Sequence, residues 1–292
     1  MLTIGECEFL QHIIPESLII EEYPFHLKET NMYSSTLEVL ELLDLPNLVS
    51  ICDTNSPSIS ALQDAPGIQN HFLTLQTLSV KKVKVKDVFC LNGPKLRLKI
   101  EDFHLINLGK MTHISFVTNN SFILQHLKSI QIVGCEKLEA IFPQSACLPE
   151  LISLEVRECK ELMMIVYEDF EENKLCNLSS QPCFPKLAKL VVEQCHKLTC
   201  FVSECASASE YLPNLEIIVI NGANELEKFI GYEIENINLP ELKLVIFMHL
   251  PKFQQETNFL YVKHRIVRNC PKISLTSATL QEIQQNFPYK GK

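Results

Sequence analysis

The stretch Leu151–Val166, LISLEVRECKELMMIV, decides the fold of this chain. Its apolar residues follow a mixed spacing of three, two, three, three and three, and they are Leu151, Leu154, Val156, Cys159, Leu162 and Ile165. The alternation Leu154-Glu155-Val156 is typical of a short strand. The three-residue steps that follow indicate tight turns that bring the chain back. No single helix or strand keeps this period, so the stretch predicts one coil of a stacked repeat.

The same spacing recurs along the whole chain. It is found at Leu127–Ile141, Leu187–Phe201, Leu215–Phe229, Leu242–Phe253 and Leu37–Ile51, and in part at Leu75/Leu78/Val80/Val83 and Leu98/Ile100/Phe103/Ile106. The last copy, 262–273, has Arg265 where a leucine is expected, which suits a terminal coil whose outer side meets water. The pattern predicts an α/β leucine-rich-repeat solenoid, or horseshoe, with a parallel sheet of short strands on its concave face and a mostly irregular convex side.

The domain boundaries follow from the same register. We expect residues 1–273 to form a solenoid of about ten irregular repeats. Residues 2–7 align with 130–135, so residue 1 falls inside a repeat; we expect either a piece of a longer protein or a first coil that a partner caps or that frays. Thr279-Leu280-Gln281-Glu282 has capping-box spacing, which predicts a C-terminal capping helix and tail over 274–292.

Composition narrows the function classes. The formal net charge of −9 argues against nucleic acid as the main partner. No apolar run has the length of a membrane span, and residues 1–20 lack the pattern of a secretory leader. Four of the twelve cysteines (Cys135, Cys159, Cys195 and Cys270) occupy one repeated position three residues after the predicted strand. We interpret them as buried structural thiols of a reducing, cytoplasmic compartment.

No catalytic or metal-binding constellation is predicted. Cys176, Cys183, Cys200 and Cys205 lie near Cys195 and His196, but their gaps are not those of paired zinc knuckles. The chain has no phosphate loop, no GxSxG and no HExxH. We therefore predict a protein that is not an enzyme and that carries no metal and no cofactor.

The candidate binding residues are those expected on the concave face. Residues 81–99 form a basic block in which Lys81, Arg97 and Lys99 flank strand positions; it is either a solvated lysine face or a docking patch for an acidic protein. Glu155 and Arg157 flank the apolar strand position Val156 of the central repeat. Near the C-terminus the same positions turn apolar, at Ile217, Val219, Leu244, Ile246 and Met248, and either a partner or the C-terminal segment covers them.

The repeats resemble the C-terminal leucine-rich region of plant intracellular disease-resistance proteins of the coiled-coil, nucleotide-binding, leucine-rich-repeat type. The residues that carry the resemblance are Leu151–Ile165, Cys135–Pro143, Phe184–Cys195, Leu212–Leu215 and Leu239–Leu242. The resemblance implies a sensing and autoinhibitory module that binds a pathogen effector or a guarded host protein. It also implies the nucleotide-binding domain of a parent receptor as a partner, although that domain's phosphate loop is missing from this sequence.

Three alternatives stay open from the sequence. The repeats of F-box ubiquitin-ligase receptors also contain cysteines, but they usually continue differently after the cysteine. A stand-alone repeat scaffold fits the composition equally well. An extracellular receptor ectodomain is opposed by the missing leader and by the absence of a Leu-x-Gly-x-Ile-Pro pattern.

Overall fold

The computed structural model describes residues 1–7, 12–14, 38–48, 50–52, 75–83, 100–114, 125–143, 146, 148–167, 184–202, 212–229, 239–254, 262 and 264–273. Three predictions fall outside these residues: the capping helix within 274–292, the cysteines of the 168–183 insertion and most of the basic block at 81–99.

Fifteen short strands make up the described architecture. They are β1 (Leu2–Gly5), β2 (His12–Ile14), β3 (Val39–Leu43), β4 (Ser50–Cys52), β5 (Thr77–Lys81), β6 (Asp102–Ile106), β7 (Ser129–Val133), β8 (Ala140–Pro143), β9 (Ser153–Arg157), β10 (Met164–Tyr167), β11 (Lys189–Glu193), β12 (Cys200–Val202), β13 (Ile217–Asn221), β14 (Leu244–Met248) and β15 (His264–Arg268). Ten of them form one sheet in the order β1-β3-β5-β6-β7-β9-β11-β13-β14-β15. Every neighbouring pair in this sheet is parallel, as expected when each coil contributes one strand.

The second and fourth residues of the eight main-sheet strands between β1 and β15 are buried and form the core. Leu154 pairs with Ile130 on one side and with Leu190 on the other, and all three side chains are fully buried. Val156 is aligned in the same way with Ile132 and Val192. Each coil therefore buries its apolar row against the rows of its neighbours, which confirms the predicted solenoid.

One repeat lies in a different register from the predicted one. The strand after the basic block is β6, with Phe103 paired to Leu78 and Leu105 paired to Val80. The prediction had placed the strand at Leu98 and Ile100, five residues too early. The correct series is Ile100, Phe103, Leu105, Leu108, Met111 and Ile114, and all six residues are buried. Both series are apolar at almost every required position, so only strand pairing separates them.

Two hydrogen-bonded turns frame each strand. Before several strands a Leu-Pro-x-Leu or Phe-Pro-x-Leu turn closes, as in Leu151 N to Leu148 O at 3.3 Å and Leu215 N to Leu212 O at 3.3 Å. Proline suits the second position of such a turn because its φ is already fixed near the required value. After the strand, the cysteine-position turn closes from Leu162 N to Cys159 O, also at 3.3 Å.

A residue with left-handed backbone follows every strand of the main sheet. These ten residues are Glu6, Asp44, Lys82, Asn107, Gly134, Glu158, Gln194, Gly222, His249 and Asn269. Except for the last, each donates its N–H to the final carbonyl of the next strand in the sheet, at 2.7 to 3.2 Å. The positive φ turns the chain out of the sheet while the ladder of hydrogen bonds continues for one more rung.

The return part of the coils is more regular than the irregular side that the sequence predicts. Strands β8, β10 and β12 form a second parallel sheet, and β2 pairs with β4. Phenylalanine rings contact one another along this second sheet. The ring centroids of Phe142 and Phe184 lie 5.6 Å apart, and those of the stacked Phe201 and Phe229 lie 5.1 Å apart. Burial and aromatic contact stabilise this layer together.

Candidate partner-binding face

In the five-residue strands of the main sheet, the first, third and fifth residues point away from the core. Thr3 of β1 is in register with them, and we call the surface they form the outward face. In β9 these residues are Ser153, Glu155 and Arg157, which alternate with the fully buried Leu154 and Val156. The register is continuous from β1 to β15, so Thr3 of β1 and the third residues of the other nine strands form one row across the sheet. This is the surface that the sequence analysis expects to be concave.

The middle of the outward face carries a charged network, which we call the polar zone. Glu155 of β9 accepts a hydrogen bond from Lys189 Nζ of β11 and lies 3.4 Å from Arg157 NH2. Arg157 Nε lies 3.0 Å from Glu193 Oε2. The hydrogen bond from Lys189 holds the pKa of Glu155 below its ordinary value, and the charges of Lys189 and Arg157 lower it further. Two acids and two bases thus neutralise one another across two strands.

The next three strands carry an aliphatic surface, which we call the apolar zone. Its half-buried side chains are Ile217, Val219, Leu244, Ile246, Met248 and Ile266. The pairing register sets Val219, Ile246 and Ile266 side by side, and Val191 of β11 extends that row. Val191 is only 4% exposed, so the row runs from a packed edge into an accessible surface.

Acidic and basic residues are equally frequent in the coils that carry the apolar zone. Residues 216–273 contain seven lysines and arginines and seven glutamates, although the whole chain has a net charge of −9. Two of the lysines reach back to the β13 coil, where Lys243 Nζ lies 2.7 Å from Glu216 Oε1 and Lys252 pairs with Glu225. The hydrogen bond to Glu225 raises the pKa of Lys252. The apolar zone therefore lies in coils whose formal charges balance.

Elsewhere, lysine–glutamate pairs join the turns of neighbouring coils. Lys160 Nζ lies 2.6 Å from Glu136 Oε1, and Lys197 Nζ lies 2.5 Å from Glu161 Oε2. Hydrogen bonding to Glu136 raises the pKa of Lys160, and the same contact lowers the pKa of Glu136. Exposed pairs of this kind contribute little to stability, and we assign them no binding role.

The predicted site residues separate into three groups. Glu155 and Arg157 lie on the outward face in the polar zone, and the predicted residues of β13 and β14 lie on it in the apolar zone. Lys81 ends β5, and its Nζ lies 3.3 Å from Glu41 Oε1. Arg97 and Lys99 are outside the described residues; the strand of their repeat is Asp102–Ile106, which removes the register argument for placing them on the face. That any of these residues binds a partner remains a prediction.

Two features of the face had little or no signal in the sequence. Lys189 and Glu193 complete the polar zone, but they are 34 and 36 residues away from their partners Glu155 and Arg157, so only the strand register reveals the network. Ser79 is 1% exposed although it faces outward, and its hydroxyl has no hydrogen-bond partner among the described atoms.

The cysteine-position thiols are structural. Cys135, Cys159 and Cys195 are fully buried, and Cys159 Sγ donates to Arg157 O at 3.4 Å. Hydrogen bonding to the neighbouring thiols of Cys135 and Cys195, together with burial, raises the pKa of Cys159 well above its ordinary value. The hydrogen bond with Cys159 lowers the pKa of Cys135 and that of Cys195. All three side chains are buried in the core, where they act as small apolar spacers.

Among the residues that the structure describes, no group of three or more histidine, cysteine or acidic side chains is arranged to hold a metal ion. In the same part of the chain, no helix combines the length and apolarity needed to cross a bilayer.

The continuous parallel sheet, the repeated apolar rows and the variable outward face together define a leucine-rich-repeat protein, a class of protein-interaction modules. More specifically, residues 65–160 match the family model of plant disease resistance protein RPS2-like leucine-rich repeats. This match confirms the resemblance found in the sequence, over the part of the chain that contains β5 to β9.

The chain is similar to a solved structure, the leucine-rich repeat domain of the type III effector XopL, with 15% sequence identity and a TM-score of 0.38. That alignment covers 80% of this chain and 69% of the other. No curated protein matches the chain.

Proposed function

We propose that this chain is the partner-recognition part of a plant intracellular immune receptor. It binds a pathogen effector or a guarded host protein through the outward face of the main sheet. It catalyses no reaction and also contacts the nucleotide-binding domain of its receptor. The observation that carries the proposal is the family match over residues 65–160.

The geometry supports recognition rather than chemistry. The outward face is broad and changes character along the sheet, from the neutralised polar zone of β9 and β11 to the apolar zone of β13 to β15. Such a surface suits contact with another macromolecule. The buried, free cysteine-position thiols support a reducing compartment, so the proposal places the protein in the cytoplasm.

Proximity labelling in leaf cells tests this proposal. The chain is fused to a promiscuous biotin ligase and expressed in healthy and in pathogen-challenged leaves, with the ligase alone as the control. We expect cytosolic labelling and enrichment of an effector or a host defence protein, which then binds the purified chain directly. Labelling confined to secretory compartments would contradict the proposal, and so would enrichment equal to that of the ligase alone.

A further inference from the structure

The core of the solenoid is incompletely covered at the β15 end. This strand is the last in the order of the main sheet, so a neighbouring coil of the described structure packs against only one of its sides. Val267 is half-buried, whereas Phe247 and Ile220, which hold the same inward position in the two preceding strands, are each 1% exposed. The last described coil therefore presents an apolar side chain on the side away from β14.

Two more apolar residues of this coil share that partial exposure. Ile273 closes the cysteine-position turn, since its N–H donates to Cys270 O at 3.1 Å, and it is half-buried. Leu198 closes the equivalent turn after Cys195 and is buried. Val262 is also half-buried and packs against the core. We call the patch that these residues form the end surface; its members are Val262, Arg265, Val267 and Ile273.

Arg265 shows that the end surface is not simply open to water. It holds an inward position and pairs with Val245 of β14, which is buried. Its Nε is inaccessible to solvent and has no hydrogen-bond partner in the described part of the chain. An arginine in place of the leucine predicts a side that meets water, and the buried Nε departs from that prediction. Because a buried donor of a charged group costs free energy unless it is paired, we expect an acceptor over this coil.

The sequence that directly follows Ile273 has the composition of a cover for this patch. Leu280, Ile283 and Phe287 recur at intervals of three and four, which is typical of one face of a helix. The other residues of 279–286 are threonine, glutamine, glutamate and asparagine, whose side-chain oxygens accept hydrogen bonds. The segment thus offers apolar side chains for the half-buried core and acceptors for the unpaired Nε.

The covalent connection favours this segment over a separate molecule. Residues 274–278 span at most about 18 Å, and a helix of about nine residues measures about 13 Å, against about 17 Å for the length of β15. A segment tethered by so short a linker has an effective concentration on the order of millimolar. Solenoids also require a cover on their terminal coils to remain soluble. Reach and size therefore both allow the segment to close the coil to which it is attached.

We propose that residues 274–292 fold back on the end surface and close the core, with a helix over about 279–287. The apolar face of this helix packs on Val267 and Ile273, and polar side chains of the segment supply the acceptor for Arg265 Nε. The closure goes beyond partner recognition, because it concerns the end of the core rather than the outward face.

Hydrogen–deuterium exchange of the full chain, measured by mass spectrometry, tests whether the segment stabilises the last coil. Phe287→Ser removes the largest apolar contact, so peptides that contain β15 should exchange at least about tenfold faster, while those that contain β9 should not change. Gln285→Ser alters the opposite side of the predicted helix and is the matched control, which should change neither rate. Unaltered exchange of β15 in the Phe287→Ser chain would overturn the proposal.

Global unfolding is distinguished by the β9 peptides. If Phe287→Ser accelerates their exchange as much as that of β15, the milder Ile283→Ala takes its place, and the same comparison decides. Acceleration confined to β15 supports the closure. Equal effects of Ile283→Ala and Gln285→Ser would overturn it.

A photo-cross-link identifies what covers the end surface. Benzoylphenylalanine is placed at position 287 of the full chain, and the cross-linked peptides are identified after irradiation. We expect cross-links within one molecule to residues 262–273. Cross-links confined to another part of the chain would overturn the location, and a covalent dimer would show that a second copy is covered instead. None of these outcomes depends on proximity labelling, so the closure and the proposed function fail or stand separately.

Discussion

The polar zone on β9 and β11 and the apolar zone on β13 to β15 are built on the same frame. Leu154 and Ile218 hold equivalent inward positions, and both are fully buried. Two strands away from Glu155, the outward position is Val219. The difference shows that the fold constrains the inward side of each strand more strongly than the outward side.

If the two zones share one packed core, substitutions of inward residues should lower the free energy of unfolding by similar amounts in both. Leu154→Ala and Ile218→Ala should each lower the free energy of unfolding by about 2–5 kcal/mol, because each leaves a cavity in a packed row. Urea unfolding followed by circular dichroism measures this cost. Ile152→Ala, at a residue that is 46% exposed, is the control and should change stability by less than about 0.5 kcal/mol. A loss of stability below about 1 kcal/mol for either Leu154→Ala or Ile218→Ala would contradict the prediction that the two zones share one packed core.

Alanine substitutions at the glycines that end two strands should destabilise the chain by different amounts. Gly134 has a φ of 65°, and a Cβ there would meet Asn107 Oδ1 at 2.1 Å, whereas at Gly222 it would meet the flexible end of Gln194 at 2.9 Å. Gly134→Ala should therefore cost more than the roughly 1 kcal/mol of a left-handed alanine, and Gly222→Ala should cost about that amount.

Gly109→Ala is the matched control for this pair, since a Cβ there meets nothing within 4 Å. Unfolding midpoints of the three variants should rank Gly134→Ala lowest and Gly109→Ala highest. Combining Gly134→Ala with Asn107→Gly should recover part of the loss. A Gly134→Ala protein as stable as the Gly109→Ala protein would show that the strand-end turn is not formed as described.

Ser79 provides a test of the outward face where it is unusually closed. Its hydroxyl is buried and has no hydrogen-bond partner in the described part of the chain, so Ser79→Ala should raise the free energy of unfolding by about 1 kcal/mol. The control is Ser129→Ala, at a half-buried outward position of β7, which should be close to neutral. Destabilisation by Ser79→Ala would indicate a partner for the hydroxyl that the structure does not contain.

The polar zone should make a small, pH-dependent contribution to the free energy of unfolding, and the apolar zone should make none. Because Lys189 holds the pKa of Glu155 below its ordinary value in the folded chain, the contribution is present above about pH 4.3 and is lost as the pH falls through the folded pKa. Glu155→Gln should reduce stability by about 0.5 kcal/mol at pH 7 and by less at pH 3. Urea midpoints across this range measure the difference, and an effect that grows on acidification would contradict the assigned network.

The buried core of the coils could be predicted from the sequence, because it depends on the spacing of apolar residues within each repeat. Leu154, Val156 and Cys159 keep fixed intervals in almost every coil, and their burial follows directly from the stacking. The prediction failed at 98–106 because Leu98/Ile100 and Phe103/Leu105 both satisfy the strand pattern, and only pairing with Leu78 and Val80 decides between them.

The ion pairs of the polar zone could not be predicted from the sequence, because they depend on which strands are neighbours in the sheet. Lys189 and Glu155 meet across a strand pair, and intervals between strands are irregular along the chain. The left-handed residues were equally hidden. Glycine and asparagine mark Gly134 and Asn269, but Glu6, Lys82 and His249 adopt the same backbone without any such signal.

The most direct test of the account uses two adjacent residues of β14. Ile246 points outward and Phe247 is buried in the core, so Ile246→Ser and Phe247→Ala should separate recognition from folding. The free energy of unfolding and the affinity for the partner identified by proximity labelling are measured for both variants. We predict a loss of about 3–5 kcal/mol for Phe247→Ala, and for Ile246→Ser near-normal stability with at least about tenfold weaker binding. Ile246→Ser that binds normally, or that unfolds as readily as Phe247→Ala, would contradict the division between the two sides of the sheet.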